Sequence, residues 1–127
     1  MTATFSDYVA SQDARNTIQL NVHKWTLMLC DALVDNFKQS YPNLSRLRSD
    51  PYKFYIKSGR KYHKIVMETD CGSRSVHAFV DKKTGEVYKP ASFKAPAKIV
   101  RYNLLMIESR EQCYQRADWA GGYLYVR

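Results

Sequence analysis

The chain has few of the features that mark an exported, membrane-spanning or metal-dependent protein. Its three cysteines, Cys30, Cys71 and Cys113, are odd in number and far apart, without the paired spacing of zinc sites or redox motifs. Such a set points to a reducing compartment, with Cys30 a small core residue in an apolar stretch and Cys71, beside Gly72, an exposed turn thiol. No basic segment followed by an apolar run opens the chain, and no apolar run approaches bilayer length. Neither a signal peptide nor a membrane span is expected. The five glycines form no phosphate-cradling loop, and no nucleophile elbow, HExxH or Cys and His dyad is visible. His23, His63 and His77 fall on different elements and read as surface or structural side chains. Glu68, Asp70 and Asp81 flank one hairpin and, with Lys82 or Lys83 nearby, are the candidate group for a Mg²⁺-dependent phosphodiester cleavage. Carboxylates at strand ends are more often turn formers. No catalytic residue, metal or cofactor is therefore assigned, and an enzyme is not expected.

What is abundant is apolar and basic. With 45% hydrophobic and 13% aromatic residues, 127 residues suffice for one core and one domain spanning 1–127. The formal charge of +8 is unevenly placed. Residues 1–45 carry three cations against four carboxylates, and 102–127 are neutral. Residues 46–101 carry fourteen Lys and Arg against five Asp and Glu, a net of +9. A local excess of this size concentrates polyanions, either nucleic acid or an acidic protein, although a solvated basic surface has the same signature.

Ile18, Val22, Trp25, Leu29, Leu33 and Phe37 recur at three- and four-residue steps and predict one long N-terminal helix. Thr4 with Asp7 fits a capping box near Phe5, and the polar run Ser11 to Asn16 leaves open a break into two helices. Pro42 ends the element, and Asn43 to Pro51 reads as a linker. The period then changes to two. Strands are expected at 53–57, 61–69, 75–81 and 86–89, separated by turns at Ser58–Gly59, Asp70–Ser73 and Lys82–Gly85. Residues 90–100 hold two prolines and no clear period, which predicts an ordered surface loop or a short helical turn. Ser109 with Gln112 marks a short C-terminal helix to about Trp119, and Tyr123 to Val126 alternates like a last strand. The fold class is α+β: a long N-terminal helix packed on a curled antiparallel sheet of four or five strands, with a short C-terminal helix.

Sorting strand residues by parity separates two faces. Phe54, Ile56, Ile65, Met67, Val76, Ala78, Val80, Val87, Leu124 and Val126 form an aliphatic set suited to a core. Lys53, Tyr55, Lys57, Tyr62, Lys64, His77, Phe79, Tyr88, Tyr123 and Tyr125 form the other face, aromatic interleaved with cationic. Unpaired bases stack on rings while cations neutralise phosphates, although tyrosine also favours strands for packing reasons alone. The candidate nucleic-acid contacts are Lys53, Tyr55, Lys57, Arg60, Lys61, Lys64, His77, Phe79, Tyr88, Phe93, Lys94, Lys98 and Arg101. Among these Tyr55, Phe79, Tyr88 and Phe93 are the stacking rings. The expected function is sequence-tolerant binding of single-stranded nucleic acid; docking of an acidic host or viral protein on the same cations is the alternative.

The run from His77 to Arg101, HAFVDKKTGEVYKPASFKAPAKIVR, resembles a segment of small uncharacterised proteins of tailed bacteriophages. Its recognisable parts are the hairpin Val80 to Tyr88 and the following KPASFKAPA. The resemblance covers about a fifth of the chain and implies a setting, the infected host cytoplasm or the virion. It implies no activity or catalytic residue.

Overall fold

The apolar recurrence of the N-terminal stretch does produce one helix, α1, unbroken from Phe5 to Ser40. The computed structural model describes residues 5–42 and 52–125. The cap at Thr4, the linker expected over 43–51 and the strand end at Val126 lie outside those residues. Within α1 the buried stripe is Val22, Thr26, Leu29, Leu33 and Phe37, at steps of four, three, four and four. Thr26 is accommodated there because its hydroxyl donates to the Val22 carbonyl at 2.7 Å, so no polar atom is left unpaired. Ile18, expected to open the stripe, is exposed. From Ser6 to Leu20 the side chains described are exposed, apart from a half-buried Gln12, so the first half of α1 overhangs the core.

Five antiparallel strands follow in simple meander order: β1 (Tyr52–Ser58), β2 (Tyr62–Thr69), β3 (Arg74–Asp81), β4 (Glu86–Pro90) and β5 (Pro96–Asn103). The sheet is open, with β1 and β5 at its edges. The fifth strand comes from 96–103, where a loop was expected. Pro96 begins it and Pro90 ends the strand it pairs with, positions where a missing N–H is tolerated. Two register shifts between β4 and β5 conceal the two-residue period. The expected last strand at 123–126 is instead a single 3-10 turn over Gly122–Leu124.

The β3–β4 turn shows how locally the hairpins are specified. The Asp81 carboxylate accepts from the Lys83 and Thr84 amides at 2.8 and 3.1 Å. Gly85 then takes φ +73°, with Leu105 so close that a Cβ would lie 2.9 Å from its Cγ, a site only glycine fits.

α1 lies across β1 and β2, and a second helix, α2 (Ile107–Arg116), packs by β5 and α1. The two helices are joined by the Tyr114 hydroxyl, which donates to the Trp25 carbonyl at 2.7 Å, and by the Arg110 guanidinium 3.9 Å above the Trp25 ring. The capping box expected at Ser109 is not formed. The helix starts three residues earlier, with Met106 at the cap position, and the Ser109 hydroxyl accepts the Asn103 amide at 2.8 Å. Between helices and sheet lie Leu29, Leu33, Phe54, Ile65, Ala78, Val80, Val87, Leu104 and Leu124. Burying each large aliphatic contributes roughly 1.5–3 kcal/mol. No helix among the described residues is long and apolar enough to cross a membrane.

Candidate nucleic-acid interface

The face of the sheet turned away from α1 follows from the ladder. Phe54 pairs with Met67 and Ile56 with Ile65 under the helix, so Tyr55, Lys57, Lys64 and Val66 point the opposite way. Lys57 stands directly opposite Lys64, a like-charge pair that costs stability unless an anion lies between. Arg60 and Lys61 extend from the turn joining β1 and β2. Lys94 approaches from the 91–95 turn, which is closed by bonds from the Ala91 and Ser92 amides to the Ala95 carbonyl at 3.0 and 3.1 Å. These five cations line a cleft of about 240 Å³ with Ser58, Gly59, Tyr62 and Phe79, and among the described residues no carboxylate lines it. The Lys64 ammonium sits 4.3 Å from the Phe93 ring centroid and 5.6 Å from that of Phe79, and Lys61 lies 5.3 Å from Tyr62. The cleft is thus cationic at its rim and aromatic at its floor.

The rings differ in what they offer. Phe79 is on the predicted face but only 2% exposed, packed edge-on against Tyr62. It is a floor, not a stacking surface. Tyr88 is half-buried and its hydroxyl donates to the Glu86 carboxylate, which holds the phenol well above its ordinary range. Phe93 is 49% exposed and Tyr55 half-buried. Tyr62, which sequence reasoning put on this face but not among the contacts, lines the cleft.

Four expected contacts stand elsewhere. His77 is buried on the helix-covered face, because Ile65 pairs with Ala78 and Val66 with Val76, leaving His77 as an extra residue in β3. That bulge reverses the parity on which its assignment rested. The same shift puts Val76 opposite Val66, on the outer face, and half-buried. The His77 ring meets Phe54 edge-on, stacks on Tyr123 and bonds the Tyr123 hydroxyl through Nε2 at 2.8 Å. Tyr123 accordingly belongs to the core side too, not to the open face. Arg101 is likewise skipped in the β4–β5 ladder; its guanidinium donates to the Leu124 carbonyl and to that of Ile99. Lys98 is exposed on edge strand β5, and Lys53, opposite Glu68, lies toward the far end of β1 from the cleft.

The candidate metal group dissolves on inspection of its partners. Glu68 is bridged to Arg74 at 3.0 Å, and Asp81 is committed to its turn. Among the described residues no three His, Cys, Asp or Glu side chains are grouped to hold a metal ion. Cys30 and Cys113 are buried, and burial pushes both thiols up to about 12. Cys71 is exposed, and hydrogen bonds from Thr69 and Ser73 lower its pKa.

No curated protein and no solved structure matches this chain. Residues 5–126 match the model of a family of unknown function, DUF7717, and at that coverage the chain belongs to the family.

Proposed function

We propose that this protein is an accessory factor that binds single-stranded nucleic acid with little regard to sequence, through the outer face of its sheet. The observation that carries the reading is the cleft itself: Lys57, Arg60, Lys61, Lys64 and Lys94 converge on one concavity floored by Tyr62 and Phe79, with no carboxylate among the described residues that line it. Phosphates neutralise the crowded cations, and an opposed pair such as Lys57 and Lys64 is relieved by the bound anion. Tyr55, Tyr62 and Phe93 are the rings with surface to offer bases, and stacking contributes about 1–3 kcal/mol per base. The proposed setting, following the resemblance of residues 77–101, is the infected bacterial cytoplasm or the virion.

The burial of Phe79 and the tethering of Tyr88 favour, as a second reading, an acidic protein bound by the same cations without stacking. Removing rings at constant charge separates the two. A Tyr55→Ala/Phe93→Ala variant, which removes two rings, is expected to lose about thirtyfold or more in affinity for a fluorescent single strand. The matching duplex, with its bases already stacked, should bind more weakly and respond less. Unchanged single-strand binding by that variant would refute stacking and leave the acidic partner.

A further inference from the structure

We infer that the bound strand does not end at the outer cleft but turns around the hairpin end of the sheet and runs along the overhanging half of α1. This rests on the nucleic-acid reading above. Arg60 and Lys61 line both the outer cleft and a second cavity of about 460 Å³, which continues past Lys82 and Lys83 to Gln19 of α1. Lys83 and Gln19 in turn line a third cavity of about 480 Å³ with Gln12, Arg15 and Asn16. Shared walls make these one continuous track, and its cations are supplied in succession: Arg60 and Lys61, then Lys82 and Lys83, then Arg15. Among the described residues the single carboxylate along it, Asp81, is turned into its own hairpin by the Lys83 and Thr84 amides.

The helix side of the track is not merely a solvated surface of charges. Gln12, Asn16 and Gln19 are spaced by four and three residues, which puts them on one helix face. None of the three carboxamides makes a side-chain hydrogen bond among the described residues. A carboxamide offers a donor and an acceptor side by side, the pattern that pairs with the edge of a base. Single strands expose those edges, whereas a duplex uses them up. Phosphates against Lys82, Lys83 and Arg15 would therefore bring bases against Gln12, Asn16 and Gln19. This assigns a role to the helical stretch from Ser6 to Leu20, whose described side chains are exposed apart from Gln12. An isolated helix of that length has little stability of its own in water.

Anisotropy titrations of the full chain with a labelled tetranucleotide, which spans only the outer cleft, and a dodecanucleotide, which spans the track, test this. The Arg15→Ala/Lys82→Ala/Lys83→Ala variant should lose about tenfold on the dodecanucleotide and nothing on the tetranucleotide. The slope of log affinity against log salt for the longer strand should fall by about two, three phosphate contacts at about 0.7 each. The charge-neutral Gln12→Ala/Asn16→Ala/Gln19→Ala variant, at exposed or half-buried helix positions where alanine favours the helix, should weaken the dodecanucleotide alone. Wild-type affinity for the dodecanucleotide in both variants, with binding still lost in Lys57→Glu/Lys64→Glu, would confine the strand to the outer cleft and overturn this inference. Failure of the unmodified protein to bind either oligonucleotide would instead overturn the nucleic-acid reading beneath it.

Discussion

His63 and His77 are the two buried histidines of the fold. Both lie beneath the helix layer, His63 with its Nδ1 bonded to the Ser58 hydroxyl at 2.8 Å and its ring 5.1 Å from His23, and His77 bonded to Tyr123. Burial pushes both imidazoles down to about 4. At His63 the proximity of His23 and Lys82 adds to the effect, whereas at His77 Asp118 opposes it. An unfolded histidine titrates near 6.5, so below that pH the unfolded chain takes up protons that the folded chain refuses. Their contribution is therefore fully present above about pH 6.5 and is lost as pH falls toward 4, on the order of a few kcal/mol for the two together. Urea midpoints should drop from pH 7.5 to pH 5, and a His77→Gln variant should show a shallower drop. A midpoint independent of pH over that interval would contradict the assignment. The same residue marks where sequence parity stops being informative. Alternation placed Phe54, Ile65, Ala78 and Val80 on the helix side, where they are, because a regular ladder inverts orientation at every step. One extra residue at His77 undoes that rule locally, and nothing in RSVHAFVD announces a bulge.

At the scale of elements, α1 is two objects in one helix. From Val22 onward its stripe fills the core, while the side chains described between Ser6 and Leu20 are exposed apart from a half-buried Gln12. A proline removes a helical hydrogen bond and clashes with the preceding turn, at a cost of about 3 kcal/mol or more in a helix interior. Ala14→Pro should therefore reduce the helical circular dichroism signal while leaving the urea midpoint nearly unchanged, since the described side chains of the overhang, Gln12 apart, are exposed and add little to the core. Ala32→Pro, between the buried Cys30 and Leu33, should lower the midpoint steeply or abolish folding. Equal midpoint losses in both variants would show the overhang to be part of the cooperative unit. The helix itself was legible because its apolar residues repeat over several turns, and the first three hairpins because Gly or Asp stands in each turn, with Gly72 and Gly85 at positive φ. β5 was not. It is an edge strand with a proline at its start and register shifts against β4, and its exposed Ile99 and Val100 mimic neither a core strand nor a period-two pattern.

For the whole molecule, the decisive quantity is where the charge is placed, more than how much there is. The excess in residues 46–101 could be counted from composition, but whether it converged could not, because convergence depends on Lys57 facing Lys64 and on the 91–95 turn delivering Lys94 to the same cleft. The burial of Phe79 was equally hidden, since a ring on an outer face becomes a floor only when Tyr62 packs over it. Two variants of identical net charge isolate placement. Lys57→Glu/Lys64→Glu and Lys38→Glu/Arg116→Glu each remove four units from the formal +8. Lys38 and Arg116 are exposed on the helix layer, with Lys38 about 33 Å along α1 from Asn16 at 1.5 Å rise per residue. If long-range attraction to a polyanion governed binding, both variants would weaken it alike, and the difference between them would vanish at low salt, where screening is least. If the cleft makes the contacts, the first variant should lose about a hundredfold or more for a single strand and about 1.4 from its salt slope, two phosphate contacts at about 0.7 each. The second should keep its slope and lose only a few-fold. Parallel titrations of both variants at two salt concentrations decide this, and matched losses would reduce the cleft to an ordinary basic surface.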